Sequence, residues 1–339
     1  MRKPRRISIQ TIEENSTSYA IYKARRDVDR IVASCGYEPL VFGSRSPIGL
    51  YRVMKRHYDI GSLKWRIRRD DTVFFQFPWI HNNKREFYAN LFASGAKVSC
   101  IIHDIDSLRT SDSKLATQEM DVLRRCDMVI AHTPAMKRWL VGQGVDERRI
   151  EVLNVFGYIT DIPMREGVDP GDMTIVFAGN MAKSPFVKQL DKVAGDNVRF
   201  HIYGNVTDDF RDSDSVIYKG SFSPEHPEVK EGNWGLVWDG DRTDTCNGLI
   251  GNYLRYNSSH KIALYLALGL PVIVWSESSL RDFIVGNGLG IAVDSLDRIA
   301  KTIAGLSDEE RRTMVERVRD FAQTVRSGDT IRRIVARNN

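Results

Sequence analysis

The 339-residue sequence has no run of the ~20 apolar residues that a membrane-spanning helix needs, and its mean hydropathy is −0.33. Its basic start, MRKPRRISIQ, is not followed by an apolar segment, so no signal peptide is predicted. It has only four cysteines, none in a CxxC pair. These absences argue against a disulfide framework or a zinc site and predict a cytoplasmic protein with reduced thiols.

Two glycine-rich nucleotide signatures are also missing. No GxGxxG follows the first predicted strand, and no GxxxxGK[ST] occurs anywhere in the chain. The usual dinucleotide-binding and P-loop classes are therefore not predicted. If the protein binds a nucleotide, it uses a different set of residues.

Charge of both signs is present but unevenly distributed. Residues 1–160 carry a net charge of +9 and residues 161–339 a net charge of −4. The most basic stretch, YRVMKRHYDIGSLKWRIRRDD (51–71), contains no nucleic-acid motif or aromatic stacking platform, so no nucleic-acid partner is predicted. Three interpretations remain: a solvated helix face, peripheral contact with the anionic inner face of the cell membrane, and a lipid-diphosphate acceptor.

Short apolar runs alternate with helical patterns in the first half of the chain. The predicted strands are 6–10, 40–42, 72–77, 97–102 and 128–131, and the predicted helices between them are 18–35, 83–94, 114–125 and 134–143. Strands separated by crossover helices predict a parallel sheet covered on both faces.

The alternation restarts after the turn-rich segment GYITDIPMREGVDPGD (157–172). The second series has predicted strands at 174–178, 198–203, 235–238, 271–275 and 290–293, and predicted helices at 184–193, 260–268, 278–285 and 295–304. We therefore predict an α/β protein with two doubly wound, Rossmann-like domains, 1–160 and 161–325, with a C-terminal helix (326–339) joining the first. Ligands of such sheets bind beyond the carboxyl ends of the strands, here in a cleft between the domains.

Lys261 is the most informative residue of the second series. It lies in YNSSHKIALYLALGLP (256–271), where Asn257 and Ser259 are helix N-cap types and Gly269 is a helix-stop type. Lys261 is therefore predicted in the first turn of a helix, where a cation is unfavourable by roughly 0.3–1 kcal/mol. A bound diphosphate would reverse that balance, because the unpaired N–H groups of a helix N-terminus bind anions. The alternative is a lysine that reaches solvent or pairs with a carboxylate.

Neighbouring stretches supply further candidate ligands for a nucleoside diphosphate. FAGNMAKSPF (177–186) offers a close backbone approach at Gly179, a polar amide at Asn180 and a cation at Lys183. IYGN (202–205) ends a strand with Tyr203, a ring able to stack on a base, and Asn205. In a later helix, Asp282 could accept both hydroxyls of a ribose.

Two acidic triplets provide candidates for catalysis or for a metal. HDID (103–106) follows a first-half strand, and DGD (239–241) follows a second-half strand. Two carboxylates two residues apart suit a divalent cation, so a metal-dependent reaction is one alternative.

Seven stretches of the chain resemble the bacterial UDP-galactofuranosyltransferases and the related glucosyltransferases that extend sugars on serine-rich adhesins. They are FFQFP (74–78), IIHDIDSLR (101–109), CDMVIAHTPAMKRWL (126–140), FAGNMAKSPF, GLVWDGD (235–241), TCNGLIGNYLRYNSSHK (245–261) and YLALGLPVIVW (265–275). The combination of GLVWDG, TCNG and YN…HK resembles the galactofuranosyl branch most.

The resemblance implies a GT-B fold, with two Rossmann-like domains facing a cleft, and transfer of a hexosyl unit from a UDP-sugar with inversion, without a metal or other cofactor. It implies that residues matching Thr17, Lys183, Tyr203 and Lys261 hold the nucleotide.

An inverting displacement also needs a base. Asp104 is the first candidate, with His103 binding acceptor or sugar, and Asp106 is its competitor. Asp239 suits recognition of a sugar hydroxyl.

The expected partners are a UDP-sugar donor and a glycan acceptor, and a homo-oligomer stays open. The predicted donor is UDP-galactofuranose, with UDP-glucose as the alternative, and the predicted acceptor is a hydroxyl of a growing glycan in bacterial surface polysaccharide or glycoprotein synthesis. A non-catalytic sugar-nucleotide sensor or scaffold is the alternative of another class, and the presence of HDID argues against it.

Overall fold

The computed structural model describes residues 3–12, 20–195 and 197–337. The chain divides into two compact units, Met1–Leu153 with Ile331–Asn339, and Asn154–Thr330. Within the described ranges, no helix is long and apolar enough to cross a membrane. All four cysteines are free thiols, as predicted.

The first unit contains a six-stranded, fully parallel sheet in the order β2-β1-β3-β4-β5-β6. Its strands are β1 (Arg6–Thr11), β2 (Glu38–Phe42), β3 (Thr72–Phe77), β4 (Lys97–Ile102), β5 (Met128–Ala131) and β6 (Ile150–Val152). Its helices are α1 (Ala20–Ser34), α2 (Gly49–Gly61), α3 (Leu63–Arg66), α4 (Lys84–Ala93), α5 (Asp106–Thr110), α6 (Ser113–Leu123) and α7 (Pro134–Gly142).

The second unit repeats this architecture with a different strand order, β12-β11-β10-β7-β8-β9, again fully parallel. Its strands are β7 (Thr174–Asn180), β8 (Arg199–Asn205), β9 (Val216–Tyr218), β10 (Trp234–Val237), β11 (Val272–Trp275) and β12 (Gly290–Val293). Its helices are α8 (Asp191–Ala194), α9 (Gly248–Tyr253), α10 (His260–Ala267), α11 (Arg281–Gly286), α12 (Ile299–Ala304) and α13 (Asp308–Ser327). Numbered within the unit, this is the 3-2-1-4-5-6 order of the Rossmann fold.

The predicted class, two Rossmann-like α/β domains, is confirmed. Buried strands such as β5, with all four residues buried, produce the continuous apolar runs from which a parallel sheet was predicted. After Gly328, which ends α13 with a φ of 71°, helix α14 (Asp329–Arg337) begins, and residues 331–339 belong to the first unit. There Arg332 donates a hydrogen bond to the Ser34 hydroxyl.

The predictions were wrong or incomplete in several places. Strands β6 and β9 were missed because each has only three residues, too few to show a periodicity. The single helix predicted at 184–193 is a 3₁₀ helix (Pro185–Gln189) followed by α8, and the one predicted at 295–304 begins as a 3₁₀ turn (Leu296–Arg298). Helices α2, α3, α5 and α9 were not predicted.

One testable consequence concerns Gly235 in β10. A Cβ atom at this position would lie 2.1 Å from the ring of Tyr265 on α10, which is fully buried. Gly235→Ala should therefore lower the free energy of unfolding by at least about 1–3 kcal/mol, the usual cost of overpacking a core. Urea denaturation measures the change.

Gly286→Ala is the matched control in the same unit, because a Cβ atom there meets nothing within 4 Å. It should leave stability unchanged or slightly raised. Equal stability of the two variants would show that α10 does not pack on β10 as described.

Candidate active site

The carboxyl ends of β7 and β10 form the topological switch point of the second sheet. These two strands are neighbours, but the chain leaves β7 toward β8 and leaves β10 toward β11 on the other side. Asn180 ends β7, and Asp239 follows β10 by two residues. Open α/β sheets bind their ligands at such a point.

Lys261 and Asp239 form an ion pair at this switch point. The Lys261 Nζ atom lies 2.9 Å from Asp239 Oδ1, and the two side chains are 17% and 14% exposed. The ammonium group also lies 5.2 Å from the centroid of the Phe177 ring. The predicted first-turn position of Lys261 is confirmed: Ser259 is the N-cap and His260 is the first residue of α10.

Tyr265 fixes α10 against the sheet and so positions Lys261. The two residues are four apart and therefore lie on the same face of the helix. The Tyr265 ring packs over Gly235, and its hydroxyl oxygen accepts a hydrogen bond of 2.8 Å from the backbone N–H of Ala178 in β7. Burial raises the pKa of Tyr265, so this hydroxyl stays neutral.

The N-terminus of α10 carries a lysine in its first turn. Ser259, the N-cap residue, makes no side-chain capping hydrogen bond, and the Ile262 N–H donates to the Ser259 carbonyl at 3.0 Å. A helix N-terminus together with a lysine is an arrangement that favours an anion.

Asp239 is held by the two motifs that surround it. Gly240 has a φ of 108° and comes so close to Asn247 that a Cβ would lie 2.5 Å from its Oδ1. Asn247 accepts a hydrogen bond from the Asp241 N–H at 3.0 Å and donates one to the Asp241 carboxylate at 2.6 Å. Ser184 donates to Asp239 Oδ1 at 3.3 Å. WDGD and TCNG therefore act as one structural element.

The structure also brings the predicted residues of β7 and β8 side by side. In the parallel register, Gly179 pairs with Gly204 and Asn180 with Asn205. A Cβ on Gly179 would lie 2.9 Å from the Phe177 ring and 3.3 Å from Lys261 Cε, so the glycine makes room for the lysine.

Tyr203 lies on β8 in register with Ala178 and is only 5% exposed. Its ring packs 5.6 Å from that of Phe222, and burial raises the pKa of its phenol. It lines a cavity of about 440 Å³ together with Lys219, Phe222 and Ser223, among others. A stacking role for Tyr203 stays a prediction.

The structure also places three of the remaining donor-site candidates, Asn180, Lys183 and Asp282. Asn180 caps the following turn, accepting from Ala182 N at 2.9 Å, and Lys183 is exposed at the end of that turn. Asp282 is 87% exposed and is paired with Arg281. Thr17 lies outside the described residues. The binding roles of these residues stay predictions.

Asn257 carries a buried acceptor before α10. Its backbone carbonyl accepts a hydrogen bond from Ser279 Oγ at 3.0 Å. Its side-chain Oδ1 is buried, and no donor among the described residues lies within hydrogen-bonding distance. An unsatisfied buried acceptor costs about 1–3 kcal/mol, which a ligand donor would recover.

In the first unit, Asp104 and Asp106 line one cavity of about 530 Å³ near the carboxyl ends of β3 and β4. Asp104 pairs with Arg109 at 3.0 Å, and Asp106 with Lys84 at 3.5 Å. The other lining residues are Tyr22, Arg25, Arg56, Pro78, Trp79, Ile80 and His81. His103 is not among them. It is 8% exposed, and its Nε2 lies 2.6 Å from Gln76 Oε1.

The sequence did not identify the cationic partners of these carboxylates or the residues that position Lys261. Arg109 lies in IIHDIDSLR, five residues after Asp104 and one helical turn into α5, and this spacing could have predicted the ion pair. The sequence places Tyr265 four residues after Lys261, on the same face of the helix, and so could have indicated its positioning role. Lys84 and Phe177 had no such signal, because their proximity depends on the fold.

Two family models match the chain. The N-terminal domain of glucosyltransferase 3-like proteins matches residues 6–155, and the C-terminal domain of the same proteins matches residues 175–337. The chain is 32% identical over 280 residues to the beta-1,6-galactofuranosyltransferase WbbI of Escherichia coli, covering 79% of each chain. It is 30% identical over 266 residues to glucosyltransferase 3 of Streptococcus gordonii, covering 76% of each.

Among solved structures, the chain is similar to HepE of Anabaena in complex with UDP-glucose. The TM-score is 0.63 over 98% of this chain and 99% of that one, at 12% sequence identity. At this identity the likeness establishes the fold alone.

A testable consequence for the first unit concerns His132, which follows β5 and hydrogen-bonds to the Ile102 carbonyl at 2.8 Å, just before His103. Burial lowers the pKa of His132 from 6.5 to about 4. The imidazole is protonated in the unfolded chain at a higher pH than in the folded protein. The free energy of unfolding should therefore be largest above about pH 6.5 and should fall by up to about 1.4 kcal/mol per pH unit as the pH drops toward 4.

His132→Gln removes this titration while keeping a side-chain donor. Urea-unfolding curves at about pH 7 and about pH 5 should show a smaller loss of stability in the variant than in the parent. An identical pH dependence of the two proteins would contradict a neutral, buried His132.

Proposed function

Because the chain belongs to the glucosyltransferase 3-like family and is a glycosyltransferase of the GT-B fold, we propose that it uses a UDP-sugar donor and transfers galactofuranose. The transfer proceeds with inversion, from UDP-galactofuranose to a hydroxyl of a growing glycan. The glycan belongs to a bacterial surface polysaccharide or glycoprotein that is built in the cytoplasm. The acceptor is carried on a lipid diphosphate.

The observation that carries this proposal is the position of Lys261. Lys261 lies in the first turn of α10, and its ammonium group pairs with Asp239 at the switch point of the second sheet. The diphosphate of the donor binds there, and the charge that develops on the departing UDP is stabilised by the lysine and the helix N–H groups. Asn257, with its buried Oδ1, accepts a hydrogen bond from the donor.

The reaction uses cations of the protein rather than a metal to neutralise the phosphates. All four carboxylates of the two acidic triplets already contact donors of the chain: Asp104 contacts Arg109, Asp106 contacts Lys84, Asp239 contacts Lys261, and Asp241 contacts Asn247. Among the described residues, no three His, Cys, Asp or Glu side chains cluster as metal ligands.

Asp104 is the proposed base that takes the proton of the acceptor hydroxyl. It lines the first-unit cavity, and the ion pair with Arg109 fixes the direction of its carboxylate. Asp106 shares the cavity, but its backbone N–H is hydrogen-bonded to Glu119 at 2.8 Å in the first turn of α5. His103 is buried, and its Nε2 hydrogen-bonds to Gln76 near the end of β3.

The choice of galactofuranose rests on the WDGD and TCNG motifs together with the 32% identity to WbbI. A glucosyl donor is the second candidate, favoured by the 30% identity to the streptococcal glucosyltransferase 3. Turnover assays with UDP-galactofuranose and UDP-glucose side by side distinguish the two. A higher kcat/KM for UDP-glucose would overturn the proposed donor.

The proposed donor site predicts metal-free binding of UDP that depends on Lys261. Calorimetric titration in EDTA should give binding to the parent protein, and Lys261→Ala should weaken it about 10- to 100-fold, the usual value of a hydrogen bond to a charged group. Lys301→Ala is the matched control, because Lys301 is exposed on α12. It should bind UDP as the parent does.

Two outcomes of this titration count against the proposal. Binding that requires Mn²⁺ would move the phosphates to an acidic triplet. Unchanged affinity of the Lys261→Ala variant would show that α10 does not hold the diphosphate.

The proposed base predicts a separation of binding from turnover. Asp104→Asn should lower kcat about 10²- to 10⁴-fold, the usual contribution of a general base, and should leave the Kd of UDP unchanged. Asp106→Asn is the matched control from the same cavity and should keep most of the activity. The reverse pattern would assign the base to Asp106.

A further inference from the structure

The largest concentration of exposed apolar side chains lies on α2, α3 and the turn before them. In the part of the chain that the structure describes, eleven large hydrophobic side chains are exposed, and seven of these lie between residues 48 and 65. Six are at least half exposed: Ile48, Leu50, Tyr51, Met54, Tyr58 and Trp65. We refer to these six as the α2 patch. Surfaces of soluble proteins rarely expose large apolar patches without a binding role.

Four residues of the α2 patch lie on one face of α2, and the helix is anchored by its other face. Leu50, Met54 and Tyr58 are spaced by four residues and lie along one line of α2, with Tyr51 beside them. Ile60 and Leu63 are fully buried where α2 and α3 pack against α4. The apolar line thus faces outward although the helix is firmly part of the first unit.

Positive charge surrounds the α2 patch. Residues 45–69 contain eight Lys and Arg residues and a single acid, Asp59. Asp59 is buried and is already paired with Lys55 and Arg66. Four of the remaining cations, Arg45, Lys64, Arg68 and Arg69, are exposed.

We propose that the α2 patch docks on an anionic lipid bilayer. An amphipathic helix with aromatic and aliphatic residues on one face and Lys or Arg around it inserts into the headgroup boundary and attracts anionic lipids. Trp65 is 75% exposed, with Lys64 Nζ 4.7 Å from the centroid of its ring. Tyr58 is 71% exposed. Both ring types favour the membrane interface.

Charge argues against a second copy of the chain as the occupant. Two copies of the α2 patch packed on each other would bring two strongly basic segments together, which is repulsive. An anionic surface is the complementary one. The inference concerns where the protein acts and does not depend on the identity of the sugar donor.

The test is co-flotation of the full-length protein with vesicles of phosphatidylcholine alone and of phosphatidylcholine with phosphatidylglycerol. We expect binding to the anionic vesicles to be at least about tenfold stronger and to fall as salt is added. Equal binding to both vesicle types, or binding to neither, would overturn the proposal.

Two variants separate the apolar and the charged contributions. Leu50→Gln with Trp65→Gln removes apolar contacts, and Lys64→Gln with Arg68→Gln and Arg69→Gln removes charge. All five side chains are exposed, so both proteins should fold and bind UDP as the parent does. Each variant should bind anionic vesicles about tenfold more weakly or worse.

The matched control is Val141→Gln with Leu249→Gln, which removes two exposed apolar side chains elsewhere. It should bind vesicles as the parent does. Sedimentation of the parent and the Leu50/Trp65 variant without lipid gives the competing outcome. If the variant loses a self-associated form and vesicle binding is unchanged, the patch binds a second copy and the membrane proposal is wrong.

Discussion

The ion pair between Lys261 and Asp239 is the interaction around which the second unit is organised. A lysine in the first turn of α10 is unfavourable by roughly 0.3–1 kcal/mol against the helix dipole. Asp239, 2.9 Å from its ammonium, and the Phe177 ring offset this cost. The contact with Phe177 depends on β7 and β10 being adjacent, and Gly179 makes room for the lysine. The contact with Asp239 depends on α10 packing against β10. This arrangement of Lys261 therefore exists only in the folded sheet.

The sequence was sufficient for the architecture because a parallel sheet leaves a strong local signal. Strands buried on both faces, such as β5 and β11, are continuous apolar runs, and helices separate them regularly. It was also sufficient to place Lys261 in the first turn of a helix, since capping residues act locally. Three-residue strands and the 3₁₀ turns have no comparable signal, and these were missed.

Contacts that depend on strand order could not be predicted in the same way. The sequence left open that Lys261 pairs with a carboxylate, but it did not show that the partner is Asp239, 22 residues away. The predicted role of Asp239 at a sugar hydroxyl stays a prediction. The α2 patch was missed for a related reason. A line of apolar residues spaced by four normally faces a core, and only tertiary packing shows that Ile60 and Leu63 do so instead.

Under the proposed function, the same ion pair links phosphate binding to sugar recognition. A diphosphate that takes the ammonium of Lys261 must compete with Asp239, so its net affinity is lower than that of an unpaired lysine site. Once phosphate engages Lys261, the Asp239 carboxylate can accept a further hydrogen bond. Among the described residues, the remaining side-chain hydrogen bond to it is the one from Ser184 at 3.3 Å. The predicted role of Asp239 in binding a sugar hydroxyl would use this acceptor. Free phosphate would break the pair without this compensation, so the intact donor is the ligand that such a pair selects.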